Sequence, residues 1–242
     1  MFPAPGTRLM KKKTEQRQLS VEKLLAVALR LFVSQGYRST TLDQIADAAH
    51  LSKGAVYFYF GSKESVLMEL LERVRTVVVD DAIRAAGQAG ASAVERIVAF
   101  LHNQAKLGVS RRDDVFLLIL MSLEFSHRRD RITRCIAGIY RRLHKYVEVL
   151  IRSGQKSGEF RSDVPVRELA AIVMANHDGA FLEWYRRAPS LNGPSLVRAL
   201  RSVVLHGVAR PRAARRFNTK MHRNPAALQR LVKPLRRVTV RG

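Results

Sequence analysis

The sequence predicts an all-α protein, with a small N-terminal domain of three helices followed by a larger helical domain. Three observations carry this reading. Apolar residues recur with the 3.6-residue period of a helix in segment after segment. No pair of alternating apolar runs is joined by a hairpin turn signal. Glycine and proline fall at helix-length intervals, at Gly36, Gly61, Gly87, Gly90, Gly158, Pro165, Pro189, Gly193 and Pro194.

The elements follow in order. Residues 20–35 place Val21, Leu24, Leu25, Ala28, Leu31 and Phe32 on one stripe and stop at Gly36. A short helix opens at Leu42, with Thr40 or Thr41 as N-cap and Asp43 near its positive end. His50, Leu51 and Ser52 break the chain before KGAVYFYF. On propensity alone VYFYF favours a strand, but its neighbours make it a helix. Ser62 caps a long helix that runs to about Ala86 with Val66, Leu67, Leu70, Leu71, Val74, Val77 and Val78 inward. Further helices are expected over 92–108, 113–126, 129–154, 165–187 and 194–208, with Pro165 at the first helical position of the fourth. After Pro211 the apolar period thins, leaving one short candidate helix from Asn224.

The two short helices have helix-turn-helix spacing. Small Ala46 lets them approach, and Ile45, Leu51, Val56 and Phe60 fill the angle between them. At about 100° per residue, Val56, Tyr59 and Phe60 fall toward the scaffold, while Lys53, Gly54, Tyr57 and Phe58 point away. The turn calls for a residue at positive φ, and His50 occupies it.

The chain of 242 residues carries a formal net charge of +23. Residues 210–242 hold eleven lysines and arginines and no acid, and residues 1–18 add Arg8, Lys11, Lys12, Lys13 and Arg17 against Glu15. Such a chain attracts polyanions, nucleic acid first. Both charged ends are expected to be tails: residues 1–18 a disordered basic arm, and 210–242 a basic C-terminal tail. No apolar run approaches the roughly 18 residues that span a bilayer, and the N-terminus lacks signal-peptide order, so a cytoplasmic protein is expected. Cys135 is the sole cysteine, which excludes a disulfide framework. There is no glycine-rich phosphate loop, HExxH or nucleophile elbow, so neither an enzyme nor a metal or other cofactor is expected.

Residues 20–64 resemble the TetR family of bacterial repressors. The matching residues are Gly36-Tyr37, Thr40 to Ala46, Ala49, Leu51 to Gly54, Val56 to Phe60 and Ser62-Lys63-Glu64. The resemblance implies a DNA-binding domain over 19–64, an effector-binding and dimerisation domain over 65–209, and a homodimer acting on an operator. It places the recognition helix at 52–60, with Lys53, Gly54 and Ala55 approaching base edges in the major groove. Thr41 and Tyr57 would donate to phosphates, Lys63 would add charge beside a phosphate, and Phe58 and Tyr59 would flank the contact. Ala55 and Tyr59 depart from the serine or threonine and the histidine frequent there in the family, which removes polar groups from base reading. A sequence-tolerant architectural binder, gripping duplexes through its basic tails, is the alternative.

In the larger domain, candidates for effector contact are His102, Phe116, Met121, Phe125, Met174, His177, Asp178, Phe181 and Trp184, which interrupt or enrich otherwise apolar helices. His177 and Asp178 are adjacent on a helix and diverge by about 100°, so they are not expected to converge on one atom. Dimerisation would use helices 165–187 and 194–208, through Ala170, Val173, Phe181, Leu182, Leu196, Leu200, Val203 and Val204.

Overall fold

Among the described residues no strand forms, and one isolated bridge pairs Phe160 with Ala209. The structure, a computed structural model of the chain, describes residues 5–187 and 190–224, with side chains from residue 14 onward. The short helix expected from Asn224 and most of the basic tail lie outside the described residues.

The helices are α1 (Pro5–Gln35), α2 (Leu42–Ala49), α3 (Lys53–Phe60), α4 (Lys63–Val74), a π-helical turn (Arg75–Asp80), α5 (Asp81–Gly87), α6 (Ala93–Ser110), α7 (Arg112–Glu124), α8 (Arg131–Lys156), α9 (Val166–Arg187), α10 (Gly193–Val208) and α11 (Pro211–Arg223). The chain divides into two compact units. One holds residues up to Val74 together with Phe116–Ile136, and the other holds Arg75–Val115 together with the described residues from Ala137. The N-terminal unit thus runs to Val74 and takes in Phe116–Ile136.

Two departures concern helix ends. α1 begins at Pro5, not Ser20, so a helix replaces the disordered arm expected over 5–18. Pro165 stands just outside α9 and accepts from Leu169 N through its carbonyl, which makes it the cap residue rather than the first helical one. The remaining expected helices fall within two or three residues of the observed ones.

In the N-terminal unit α1 packs on α2 and α4, and α3 packs on α2 and α4. Leu24, Ala28, Phe32, Ile45, Ala46, Ala49, Val56, Val66, Leu67 and Leu71 are fully buried there. Arg73 adds a two-pronged ion pair to Glu22 at 2.6 and 2.8 Å, tying α4 to α1.

In the second unit α6 packs against α5, α10 and α11, and α9 packs on α10. α11 is the helix that apolar periodicity did not show. Only Ala214 and Phe217 are buried along it, the rest being largely basic and polar. Lys220 on α11 forms an ion pair with Glu95 of α6, a carboxylate that is itself buried. The basic segment 211–223 is thus a docked amphipathic helix.

Candidate nucleic-acid interface

The helix-turn-helix is set by local chemistry. Thr41 is the N-cap of α2: its hydroxyl accepts from Gln44 N at 3.1 Å, while Gln44 Oε1 accepts from Thr41 N at 2.8 Å. This reciprocal pair is a capping box. His50 closes α2 at φ 52, and its N–H reaches the carbonyls of Ala46 and Asp47. Leu51 N then bonds Ala46 O at 3.0 Å, so the chain turns within three residues. Ser52 restarts it by accepting from Ala55 N at 3.2 Å. Thr41→Ala is expected to lower the unfolding free energy by about 1 kcal/mol, with Thr41→Ser restoring most of it in urea titrations.

α3 is two-sided. Val56 is fully buried, whereas Tyr57 is 53% and Phe58 75% exposed. Lys53 and Gly54 are also exposed, and Ala55, Tyr59 and Phe60 are half-buried. The four aromatics Tyr57 to Phe60 therefore divide as the helical angle requires, although Phe60 stays at the rim of the core. Phe58 and Tyr59 meet edge to face, with ring centroids 5.7 Å apart. Arg17 of α1 stands over both rings, 5.7 and 5.9 Å from their centroids. Sequence reading missed Arg17, because its place beside α3 depends on the N-terminal extension of α1. A guanidinium over two aromatic faces is held by its attraction to the rings, and its remaining donors suit a phosphate.

Two lysines have different duties. Lys53 Nζ lies 2.6 Å from Asp43 Oδ2, and this hydrogen bond raises the lysine's pKa. Both groups are open to solvent, so the pair is weak and leaves Lys53 free to exchange Asp43 for another acceptor. Lys63 differs. Its ammonium donates to Tyr37 O at 2.8 Å and Thr40 O at 2.6 Å, and sits 4.3 Å from the centroid of the Tyr37 ring. Burial lowers its pKa. Lys63 thus clamps the carbonyls that follow α1, a structural duty the sequence did not show.

The residues expected to touch an effector are divided between the two units. Phe116, Met121 and Phe125 lie in the N-terminal unit and are buried there, and Phe125 packs edge to face on Tyr37 at 5.2 Å. They belong to the packed core of the N-terminal unit. His102, Met174, His177, Asp178, Phe181 and Trp184 lie in the second unit. There His177 Nδ1 and Asp178 Oδ1 are 2.8 Å apart, a hydrogen bond between adjacent side chains. A cleft of about 490 Å³ opens elsewhere in this unit, lined by Arg161, Arg210 and Arg215 among others, and none of the expected effector residues lines it.

Residues 24–70 match bacterial regulatory proteins of the tetR family, and residues 93–209 match the C-terminal domain of BetI-type transcriptional repressors. The crystal structure of the MbdR regulator from Azoarcus sp. CIB is 48% identical, with a TM-score of 0.73, covering 78% of this chain and 98% of that one. The chain belongs to the TetR family. This TetR-family protein is a DNA-binding helix-turn-helix transcriptional regulator of the repressor type. The HTH-type transcriptional repressor KstR2 of Rhodococcus jostii (strain RHA1) is 29% identical over 197 residues, covering 78% of this chain and 90% of the relative. The fold is shared with FadR from Bacillus subtilis, solved in complex with stearoyl-CoA, at 18% identity and a TM-score of 0.64, over 77% of this chain and 98% of that one.

Proposed function

We propose that this TetR-family regulator is a cytoplasmic homodimer that holds an operator through two copies of α3 and is released by a small-molecule effector bound in its second unit. The observation that carries the DNA side is the two-faced α3: Val56 is sealed in the core while Lys53, Gly54, Tyr57 and Phe58 stand exposed on a capped helix. Lys53, Gly54 and Ala55 lie at its start, where a helix enters the major groove. The hydroxyls of Thr41 and Tyr57 and the guanidinium of Arg17 serve the phosphates. Two such helices on a dimer would read half-sites roughly 34–36 Å apart.

Pairing through α9 and α10 is supported by their exposed apolar residues. Ile172, Tyr185 and Val203 are 59%, 52% and 61% exposed, whereas Ala170, Val173, Phe181 and Val204 are buried within the subunit. Leu182, Leu196 and Leu200 are half-buried at the border. A second copy would cover the exposed set by an isologous contact. Effector release follows as a shift between two arrangements, for which a coupling of about 1–3 kcal/mol alters operator affinity roughly 5–150-fold.

DNase footprinting of the purified protein on the DNA upstream of its own gene tests this reading. A protected, imperfectly palindromic site is expected. Uniform protection without a bounded site would favour the architectural alternative.

A further inference from the structure

The second unit contains a cluster of polar atoms that the packing leaves without partners. Among the described residues, His102 Nδ1, Asn103 Oδ1, Gln104 Oε1, Tyr146 Oη and His177 Nε2 are buried and make no hydrogen bond. Asn103, Gln104 and His177 are 1%, 0% and 5% exposed as whole residues. A buried donor or acceptor left unmade costs about 1–3 kcal/mol, so one orphan is tolerable and a group of them marks a place built for something else.

Three of these groups, Gln104, Tyr146 and His177, belong to one neighbourhood. On α6, Phe100, Asn103, Gln104 and Gly108 share a stripe, being three, four and eight residues apart. The Phe100 ring lies 5.5 Å from that of Tyr146 on α8 and 6.3 Å from that of His177 on α9. His177 meets Phe181 edge to face at 4.8 Å, and Phe181 in turn lies on Gly108, where any Cβ would overlap its ring. Gln104 sits midway between the Phe100 and Gly108 contacts. Three helices therefore surround a patch walled by Phe100, Phe181 and Tyr146, with Gln104 and His177 supplying polar atoms.

The bonds already made determine what the free atoms can do. Gln104 Nε2 donates to Val78 O at 3.0 Å, which fixes the amide and leaves its oxygen as an acceptor. His177 Nδ1 faces the Asp178 carboxylate, so a neutral imidazole places its proton there and presents Nε2 as an acceptor. Tyr146 is held neutral, its pKa pushed up to about 12 by burial, and its hydroxyl can donate or accept. Burial also lowers the pKa of His102, aided by Lys106 and Arg201, which favours a neutral ring. The carbonyl that orients Gln104 belongs to the π-helical turn Arg75–Asp80, a geometry concentrated at functional sites.

We infer that the part of the effector entering this unit is an uncharged, flat ring bearing a hydrogen-bond donor, a hydroxyl or an N–H, received by Gln104 Oε1 and His177 Nε2 and flanked by Phe100, Tyr146 and Phe181. The inference rests on the effector reading above and specifies its chemistry. Acceptors outnumber donors, so a carboxylate placed here would face lone pairs. Aromatic walls favour a ring, packed edge to face or offset.

Calorimetric titration of the full-length protein with phenol, anisole and benzoate tests it. Phenol supplies the donor, anisole removes it, and benzoate exchanges it for a charge. Phenol is expected to bind, with anisole and benzoate at least about tenfold weaker, and His177→Phe or Gln104→Met, each removing one of the two acceptors, is expected to remove the preference for phenol over anisole. The nitrogen chemical shift of His177 Nε2 should move toward the hydrogen-bonded range on adding phenol to the wild type. Equal binding of phenol and anisole would overturn the inference, as would preference for benzoate. Absence of phenol binding, with both variants folded and at least as stable as wild type, would also overturn it, showing the polar atoms to be hydrated and nothing more. The two readings fail separately. Operator release driven by some other molecule, without phenol binding, would sink only the donor chemistry. Phenol bound with no change in operator affinity for any ligand would sink only effector control.

Discussion

Lys63→Met is expected to lower the unfolding free energy of the N-terminal unit by roughly 3 kcal/mol, from two charged hydrogen bonds at about 1.5–3 kcal/mol each, partly offset by relaxation. The ammonium reaches Tyr37 O and Thr40 O, carbonyls of the loop that carries the chain from α1 into α2. Methionine keeps the length and apolar stem but supplies no donor, so Thr40 O loses the ammonium and Tyr37 O is left with the Thr40 N–H at 3.3 Å. The position of α2, and through it of α3, depends on that loop. Operator affinity should fall together with stability, and urea unfolding followed by tryptophan-free probes such as far-ultraviolet dichroism would read the loss. The alternative duty, direct phosphate contact, makes the opposite pattern: unchanged stability, with weaker DNA binding and a salt dependence reduced by about one charge. The structure favours the first outcome.

Glu124→Ala is expected to have the next largest effect. The carboxylate at the end of α7 accepts from Tyr37 N at 3.1 Å and Arg38 N at 3.0 Å, just past Gly36 at φ 84. Those two N–H groups follow a helix that has ended, and the structure offers them this acceptor in place of a backbone one. Removing it should cost about 2 kcal/mol, read as amide exchange roughly thirtyfold faster at Tyr37 and Arg38 if those protons exchange by local opening. Glu124→Gln, which keeps one acceptor oxygen, should fall between. Unchanged exchange in Glu124→Ala would show that water satisfies these amides equally well. Because Phe116–Ile136 is the stretch of later sequence that clusters with the N-terminal helices, this contact is also where the helix-turn-helix domain is fastened to α7.

Much of the architecture was legible in the sequence because it rests on local chemistry. The capping hydroxyls of Thr41 and Ser62, the positive φ of His50 and the period of α6 to α10 all act within a few residues of where they are written. The division of Tyr57 and Phe58 from Val56 follows from helical angle alone. What escaped the reading depends on distant partners. The clamping duty of Lys63 was hidden because nothing in its neighbourhood reveals the carbonyls more than twenty residues away. The contact of Phe125 with Tyr37 was hidden because Tyr37 lies in the distant loop between α1 and α2. α11 was hidden because two apolar residues suffice to dock it while arginines fill the rest. Its long basic side chains kept their heads in water and left no apolar period to see. The unpartnered polar cluster was half visible: His102 and His177 stood out by type, but Tyr146 and the orientation of Gln104 emerge only when α6, α8 and α9 are brought together.

The central claim is that the exposed face of α3 reads DNA sequence. Fluorescence anisotropy at fixed, near-physiological salt, comparing the footprinted operator with a scrambled duplex of equal length, tests it most directly in wild type and in Tyr57→Ala. The account predicts that wild type prefers the operator by at least about a thousandfold, and that Tyr57→Ala weakens binding to both duplexes while the protein remains folded. Equal affinity of the wild type for operator and scrambled DNA would contradict it, and so would a Tyr57→Ala protein that binds both as tightly as wild type.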